Sequence, residues 1–168
     1  EVAVKPLFES KNLYLRVSIA PDVPPIYCDR TRVRQVILNL LSNAGRFTTT
    51  GGVEIRVVRE DDSVLCSVAD TGPGIAPEDR DRVFEPFLQA GSSILRRTDG
   101  SGLGLSISKR FVEMHGGRMW LESEVGQGTT VSFRLPIQEP PTRAAQDLMR
   151  WFGAYTQYEA RDRPSYAP

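Results

Sequence analysis

The sequence predicts an α+β fold, a two-layer sandwich with helices over one face of a mixed, mostly antiparallel sheet. Three observations predict it. Apolar residues recur at the 3–4 spacing of a buried helix face in two separate segments, 29–47 and 103–115. Runs of alternating or β-branched apolar residues lie before, between and after those segments. Short polar connections, "DDS" and "EVGQG", join neighbouring runs as hairpins do.

In chain order, Val4, Leu7 and Phe8 carry the pattern of a helix end within residues 1–12. "LYLRVSIAP" alternates Leu13, Leu15, Val17 and Ile19, the period of a half-buried strand, and the prolines of "PDVPP" end it. "IYC" reads as a short strand. Asp29 is then an N-cap for a helix whose apolar face is Val33, Val36, Ile37, Leu40, Leu41 and Ala44. After the "TTTGG" turn come "VEIRVVRE" and "VLCSVAD" as a hairpin. "DTGPGIAPEDRDRVFEPF" is a glycine–proline loop leading to a short helix anchored by Phe84 and Phe87. Residues 88–101 have small polar side chains and no period, as expected of a mobile loop. A second amphipathic helix follows, with Leu105, Ile107, Phe111, Val112 and Met114 apolar and Gly116 at its C-terminal end. "RMWLES" and "TTVSFRLP" complete the sheet.

These elements divide the chain at Pro136. Residues 1–136 form one domain, and 137–168 are expected to hold a linker, a short helix with Ala144, Leu148, Trp151, Phe152 and Tyr155 on one face, and a disordered end. Lysine plus arginine equals aspartate plus glutamate at 21 each among 168 residues, so there is no single-sign field to hold nucleic acid. No run of eighteen apolar residues appears, so no membrane insertion of this segment is expected. Cys28 and Cys66 are isolated and read as small core residues, and His115 is the one histidine, which supports neither a disulfide framework nor a zinc site. The chain opens with glutamate, which suggests a piece of something longer.

Three motifs carry chemistry. Asn39 and Asn43 interrupt a leucine-rich helix where asparagine is a poor interior residue. With Arg46 they cluster within about 60° of one another at 100° per residue, along the border of the apolar face. One amide oxygen there would suffice for a magnesium ion that takes its other ligands from phosphates and water, while capping or bridging buried backbone is the alternative use of the pair. In "DTGPGI", Asp70 ends an apolar strand and precedes Gly72 and Gly74. Such a carboxylate accepts from an exocyclic amine while glycine lets a flat base approach, and an Asx turn within the loop is the alternative. In "DGSGLGL", Gly100, Gly102 and Gly104 precede a helix, an arrangement that offers N–H groups to phosphate oxygens or serves as a hinge.

Together, in this order and at these separations, the asparagine helix, D-x-G-x-G, F-x-P-F and G-x-G-L-G-L resemble the nucleotide-binding domain of sensor histidine kinases. That family belongs with gyrase, the heat-shock chaperones and the mismatch-repair ATPases, and the resemblance covers about residues 1–136. "RQVILNLLSNAGRFT" looks like the N box, "DTGPGI" the G1 box, "FEPF" the F box, "GSGLGLSI" the G2 box and "GQGTTVSF" the last glycine–threonine motif. The resemblance implies a Bergerat-type fold, ATP and Mg2+ as cofactors, and phosphoryl transfer to a histidine on a separate dimerisation domain of the same parent protein. A response regulator would lie downstream.

By position, it makes Asn43 the magnesium ligand with Asn39 beside it, Arg46 a phosphate contact and Phe47 an aromatic near the base. Asp70 would take the adenine amine in a pocket shaped by Gly72, Gly74 and Ile75. Gly100, Gly102, Leu103 and Gly104 would hold phosphates, Thr129 would lie near the base, and residues 88–101 would be the lid. The setting would be cytoplasmic, whether or not the parent is membrane-anchored. Gly45 stands where the family more often has an aliphatic residue, and no contact in the sequence explains it. The phospho-accepting histidine is absent, since His115 in "EMHGG" matches a structural position, and the helical hairpin that would carry it is expected before residue 1. Two further functions remain in view. An ATP-hydrolysing relative would carry a glutamate base where Asn39 stands, and an amide cannot take a proton from water. A stand-alone regulatory module, such as an anti-sigma-type serine kinase or a pseudokinase, fits the missing histidine but not "FEPF".

Overall fold

The computed structural model describes residues 4–86 and 102–138. Helix α1 (Lys5–Ser10) leads into β1 (Tyr14–Ile19), α2 (Arg30–Phe47), the hairpin β2 (Gly52–Glu60) and β3 (Ser63–Asp70), then α3 (Gly104–Met114) and the hairpin β4 (Arg118–Glu124) and β5 (Gly128–Pro136). The five strands form one mixed sheet in the order β1-β2-β3-β5-β4. Only β1 and β2 run parallel, with α2 as their crossover, and β5 is inserted antiparallel between β3 and β4. The expected helix-covered sandwich is what forms.

Alternation decides which face the helices cover. Along β2, Val53 and Ile55 are buried while Glu54 and Arg56 are exposed, and β3 buries Val64, Cys66 and Val68 in the same rhythm. Onto that face α2 lays Val36, Leu40, Leu41 and Ala44, and α3 adds Val112, with Met119, Phe133 and Leu135 closing the core from β4 and β5. Burial drives the Cys66 thiol up to about 12, so it acts as a small core side chain, as its isolation in sequence suggested.

The helix ends follow their local chemistry. Asp29 caps α2, its Oδ1 accepting from the N–H groups of Thr31 (2.9 Å) and Arg32 (3.1 Å), and these bonds hold its carboxyl below the usual range. At the end of α3, Gly116 adopts a left-handed φ of +71°, its N–H bonds Glu113 O, and the Gly117 N–H bonds Val112 O, a Schellman motif. His115 joins the two helices. Its Nδ1 donates to Phe111 O (2.7 Å), which leaves Nε2 to accept from the Asp29 N–H (3.0 Å).

Four expectations are corrected. "IYC" is not a strand, because residues 20–29 carry no ladder, although Ile26 still packs on the core. The helix expected after "DTGPGI" is two 3₁₀ turns, Pro77–Asp79 and Arg82–Phe84. Val83 is buried there, Phe84 packs half-buried under the Lys109 ammonium (5.1 Å to the ring centroid), and Phe87 lies outside the described residues. On α3, Ile107 and Met114 are exposed, since the helix buries the narrower stripe of Ser108 and Val112. Leu13, just before β1, is buried, but Val17 and Ile19 on the strand are 49% and 63% exposed, because among the described residues the helical layer covers only the start of this edge strand.

Candidate functional site

Asp70 is the last residue of β3, and two backbone N–H groups aim its carboxylate. The Gly72 N–H donates to Oδ1 at 2.8 Å, closing an Asx turn, and the Thr129 N–H on neighbouring β5 adds a second bond to the same oxygen at 3.3 Å. No donor from the described residues reaches Oδ2. The carboxyl is held above the ordinary aspartate value, because the desolvation of burial outweighs those two N–H donors. The Asx alternative and an open acceptor thus coexist, one on each oxygen.

Glycines bring backbone close around that carboxylate. A Cβ on Gly72 would sit 2.8 Å from Asp70 Oδ1 and 3.5 Å from Thr48 Oγ1. Gly74 has φ +73°, and a Cβ there would collide with the backbone oxygen of Glu124. The loop is therefore pressed against the β4–β5 turn, where the Gly126 N–H bonds Pro73 O at 2.8 Å and the Ile75 N–H bonds Ser123 Oγ at 2.8 Å. Ser123 was not singled out in the sequence, yet it organises this corner. Its hydroxyl also contacts Gly128 O and Thr129 Oγ1, each at 2.8 Å. The signal was there in principle, since Ser123 pairs with Thr129 across the β4–β5 ladder. Thr48 was missed as well. It is fully buried, and its Oγ1 has no hydrogen-bond partner among the described residues.

The seam between α2 and α3 holds the amides. Asn39 Nδ2 donates to Ser108 Oγ (3.2 Å) and Gly104 O (3.4 Å), while its Oδ1 accepts from Gln35 Nε2 (3.0 Å). The bridging use of that asparagine is what forms. Asn43, one turn on, makes no side-chain hydrogen bond among the described residues, and its Nδ2 would lie 3.8 Å from a Cβ on Gly104. The absence of a side chain at Gly104 thus opens the space between the two helices beside Asn43. Beyond it, Arg46 is half-buried and makes no salt bridge among the described residues, and Phe47 is 37% exposed at the helix end. Gly102 (φ +68°) and Leu103 lead directly into α3. Gly100 and the whole of the expected lid, residues 88–101, lie outside the described residues.

The order of these parts along the chain is shared with known proteins. A family model described as histidine kinase-, DNA gyrase B-, and HSP90-like ATPase matches residues 28–139. The chain belongs to that ATPase family. Among its curated relatives, the histidine protein kinase DivJ of Caulobacter vibrioides is 44% identical over 82% of this chain and 23% of its own length. The adaptive-response sensory kinase SasA of Parasynechococcus marenigrum is 41% identical over 78% and 34%. This chain therefore spans about a quarter to a third of the curated relatives it matches. Among solved structures, full-length ShkA in complex with AMPPNP superposes with a TM-score of 0.71 at 38% identity, over 84% of this chain and 30% of that one. The catalytic domain of histidine kinase ThkA, in a nucleotide-free form, gives 0.69 at 28% identity over 82% and 89%. The match thus takes in 89% of that kinase catalytic domain and leaves about a fifth of this chain outside it.

Proposed function

We propose that residues 1–136 bind Mg·ATP and form the catalytic part of a sensor histidine kinase, transferring the γ-phosphoryl to a histidine on a separate dimerisation domain of the same parent protein. The observation that carries this reading is Asp70, whose Oδ1 is tied down by two backbone N–H groups while Oδ2 meets no donor among the described residues, with Gly72 packed close against the carboxylate. A fixed acceptor suits the exocyclic amine of adenine, and guanine offers an acceptor there instead. The Thr48 hydroxyl next to Gly72, without a partner among the described residues, fits the same occupant, because an unpaired buried hydroxyl is costly and a base or a bound water would relieve it.

In this reading Gly72, Gly74, Ile75, Thr129 and Phe47 shape the base pocket, and Gly100, Gly102, Leu103 and Gly104 hold phosphates. Asn43, whose amide is uncommitted among the described residues, is the magnesium ligand, and Arg46 neutralises phosphate charge. Bound magnesium would offset the charge of the phosphates, and the nucleotide would supply the transferable group. Asn39 lies beside Asn43 as a bridge and not a base, so water is not activated and hydrolysis is slow. A response regulator would receive the phosphoryl group downstream, in the cytoplasm. The descriptions of DivJ, SasA and the ThkA catalytic domain support this reading.

The test uses radiolabelled ATP with this chain alone and with the dimerisation domain of its parent. Label is expected on that domain only, in acid-labile form, and weakly, since the two are untethered. Label on His115 of the isolated chain, or rapid hydrolysis without the partner, overturns the assignment.

A further inference from the structure

The last turn of α2 carries Arg46 and Phe47, and its terminus is built by a residue far away in sequence. Helix α1 ends in a Schellman motif: the Asn12 N–H bonds Glu9 O, the Leu13 N–H bonds Phe8 O, and Asn12 takes a left-handed φ of +54°. That motif fixes Lys11 at one point against α2. From there its ammonium donates three hydrogen bonds, to Gly45 O (2.9 Å), Arg46 O (2.6 Å) and Thr48 O (3.2 Å). All three ammonium donors are used. Two of these carbonyls belong to the final helical turn, which lacks intrahelical partners and carries the negative end of the helix dipole.

The contact is reinforced by packing. A Cβ on Gly45 would sit 2.8 Å from Phe8 Cε2 and 3.1 Å from Leu7 Cδ2, so α1 lies against α2 where a larger residue would push it away. This explains the glycine that the sequence left without a contact. The Phe8 ring and the Lys11 ammonium therefore grip the same turn, one on its glycine surface and one on its open carbonyls.

We infer that Lys11 is a positioning residue for phosphate binding. By fixing the carbonyls of residues 45, 46 and 48, it sets the direction in which the Arg46 side chain leaves the helix. It acts through Arg46 and touches no nucleotide itself. This inference rests on the reading of Arg46 as a phosphate contact.

The experiment is a double-mutant cycle on the full 168-residue chain. Affinity for Mg·ATP is measured by calorimetry and affinity for adenosine, which lacks phosphates, by NMR titration. Lys11→Met keeps the aliphatic stem and removes the charge-assisted bonds. It is expected to weaken Mg·ATP about tenfold and leave adenosine within about twofold. Lys11→Arg, which also offers N–H donors to the carbonyls, is expected to recover most of the loss. In an Arg46→Gln background, Lys11→Met should change Mg·ATP affinity by less than about twofold.

A loss of the same size in both backgrounds, an equal loss for adenosine, or a lowered Tm with Mg·ATP affinity unchanged reduces Lys11 to a helix cap and overturns the inference. If Arg46→Gln weakens Mg·ATP while Lys11→Met does not, this inference alone fails. If Arg46→Gln leaves Mg·ATP affinity intact, the phosphate assignment of Arg46 falls and this inference falls with it.

Discussion

The corner around Asp70 and the seam between α2 and α3 are held by different forces. At the corner, backbone N–H groups from a turn and a neighbouring strand fix the carboxylate, and Gly74 and Gly128 allow backbone approaches that no Cβ would permit. The seam depends on side-chain amides and hydroxyls, such as Asn39 with Ser108, and on Asn43, which has no side-chain bond among the described residues. Sheet geometry leaves little freedom, whereas an amide on a helix face can turn. Under the proposed function, recognition of a flat, uncharged group falls to the rigid corner, and handling of a hydrated ion and mobile phosphates to the adjustable seam.

The sharpest way to break this contrast is Gly74→Ala. At φ +73°, with a Cβ colliding with Glu124 O, the substitution forces the loop off the β4–β5 turn. It is expected to destabilise the domain by about 3 kcal/mol or more and to abolish ATP binding. Denaturant unfolding together with a nucleotide titration measures both effects. Unchanged stability would show the corner to be soft.

Next in size is Asp70→Asn, which keeps the shape but replaces a fixed acceptor with an amide. ATP affinity should fall about tenfold or more, while the free protein is at least as stable at neutral pH because a buried charge has been removed. The same residue sets a pH dependence. Its folded carboxyl lies above the ordinary value of 3.8, so the folded state binds the proton more tightly than the unfolded chain does. Lowering the pH through that raised value should therefore stabilise the free protein relative to its state with Asp70 ionised. If, as proposed, the adenine amine bonds the carboxylate, ATP affinity should fall over the same interval, starting above the ordinary aspartate range. Calorimetric titrations across pH should show the affinity limb in the parent and not in Asp70→Asn. Parallel profiles would remove the adenine-pocket assignment.

At the seam the expected effects are smaller and separable. Asn43→Ala should lose magnesium-dependent affinity more than Asn39→Ala, since the latter amide is committed to α3. Ser108→Ala should resemble Asn39→Ala, with a loss of about 1 kcal/mol in stability and little change in magnesium dependence. Titrations with and without magnesium separate the pair. A larger magnesium-dependent loss from Asn39→Ala would exchange the two roles.

Much of the site was legible because its motifs obey local rules. The Asx turn spans Asp70 and Gly72, the Asp29 cap reaches two and three residues ahead, and the apolar period of α2 repeats every turn. Such contacts depend on neighbouring dihedrals and side chains, which composition and spacing encode directly. The failures were also local in origin. The apolar character of "IYC", Val17, Ile19 and Met114 suggests structure or burial, but burial depends on what the rest of the chain places opposite each residue.

From the sequence alone, then, came the layers of the fold, the ends of α2, and the asparagine, aspartate and glycine positions. Tertiary structure alone decided what those positions are held by. Lys11 reaches Arg46 across 35 residues, Thr129 reaches Asp70 across 59, and Ser108 reaches Asn39 across 69. No periodicity reports a partner at such separations, because closing those loops is decided by the free energy of the whole core and not by any segment within it. Gly45 shows the division in one residue. The sequence marks it as a poor helix former, and only the packed Phe8 ring explains why it is there.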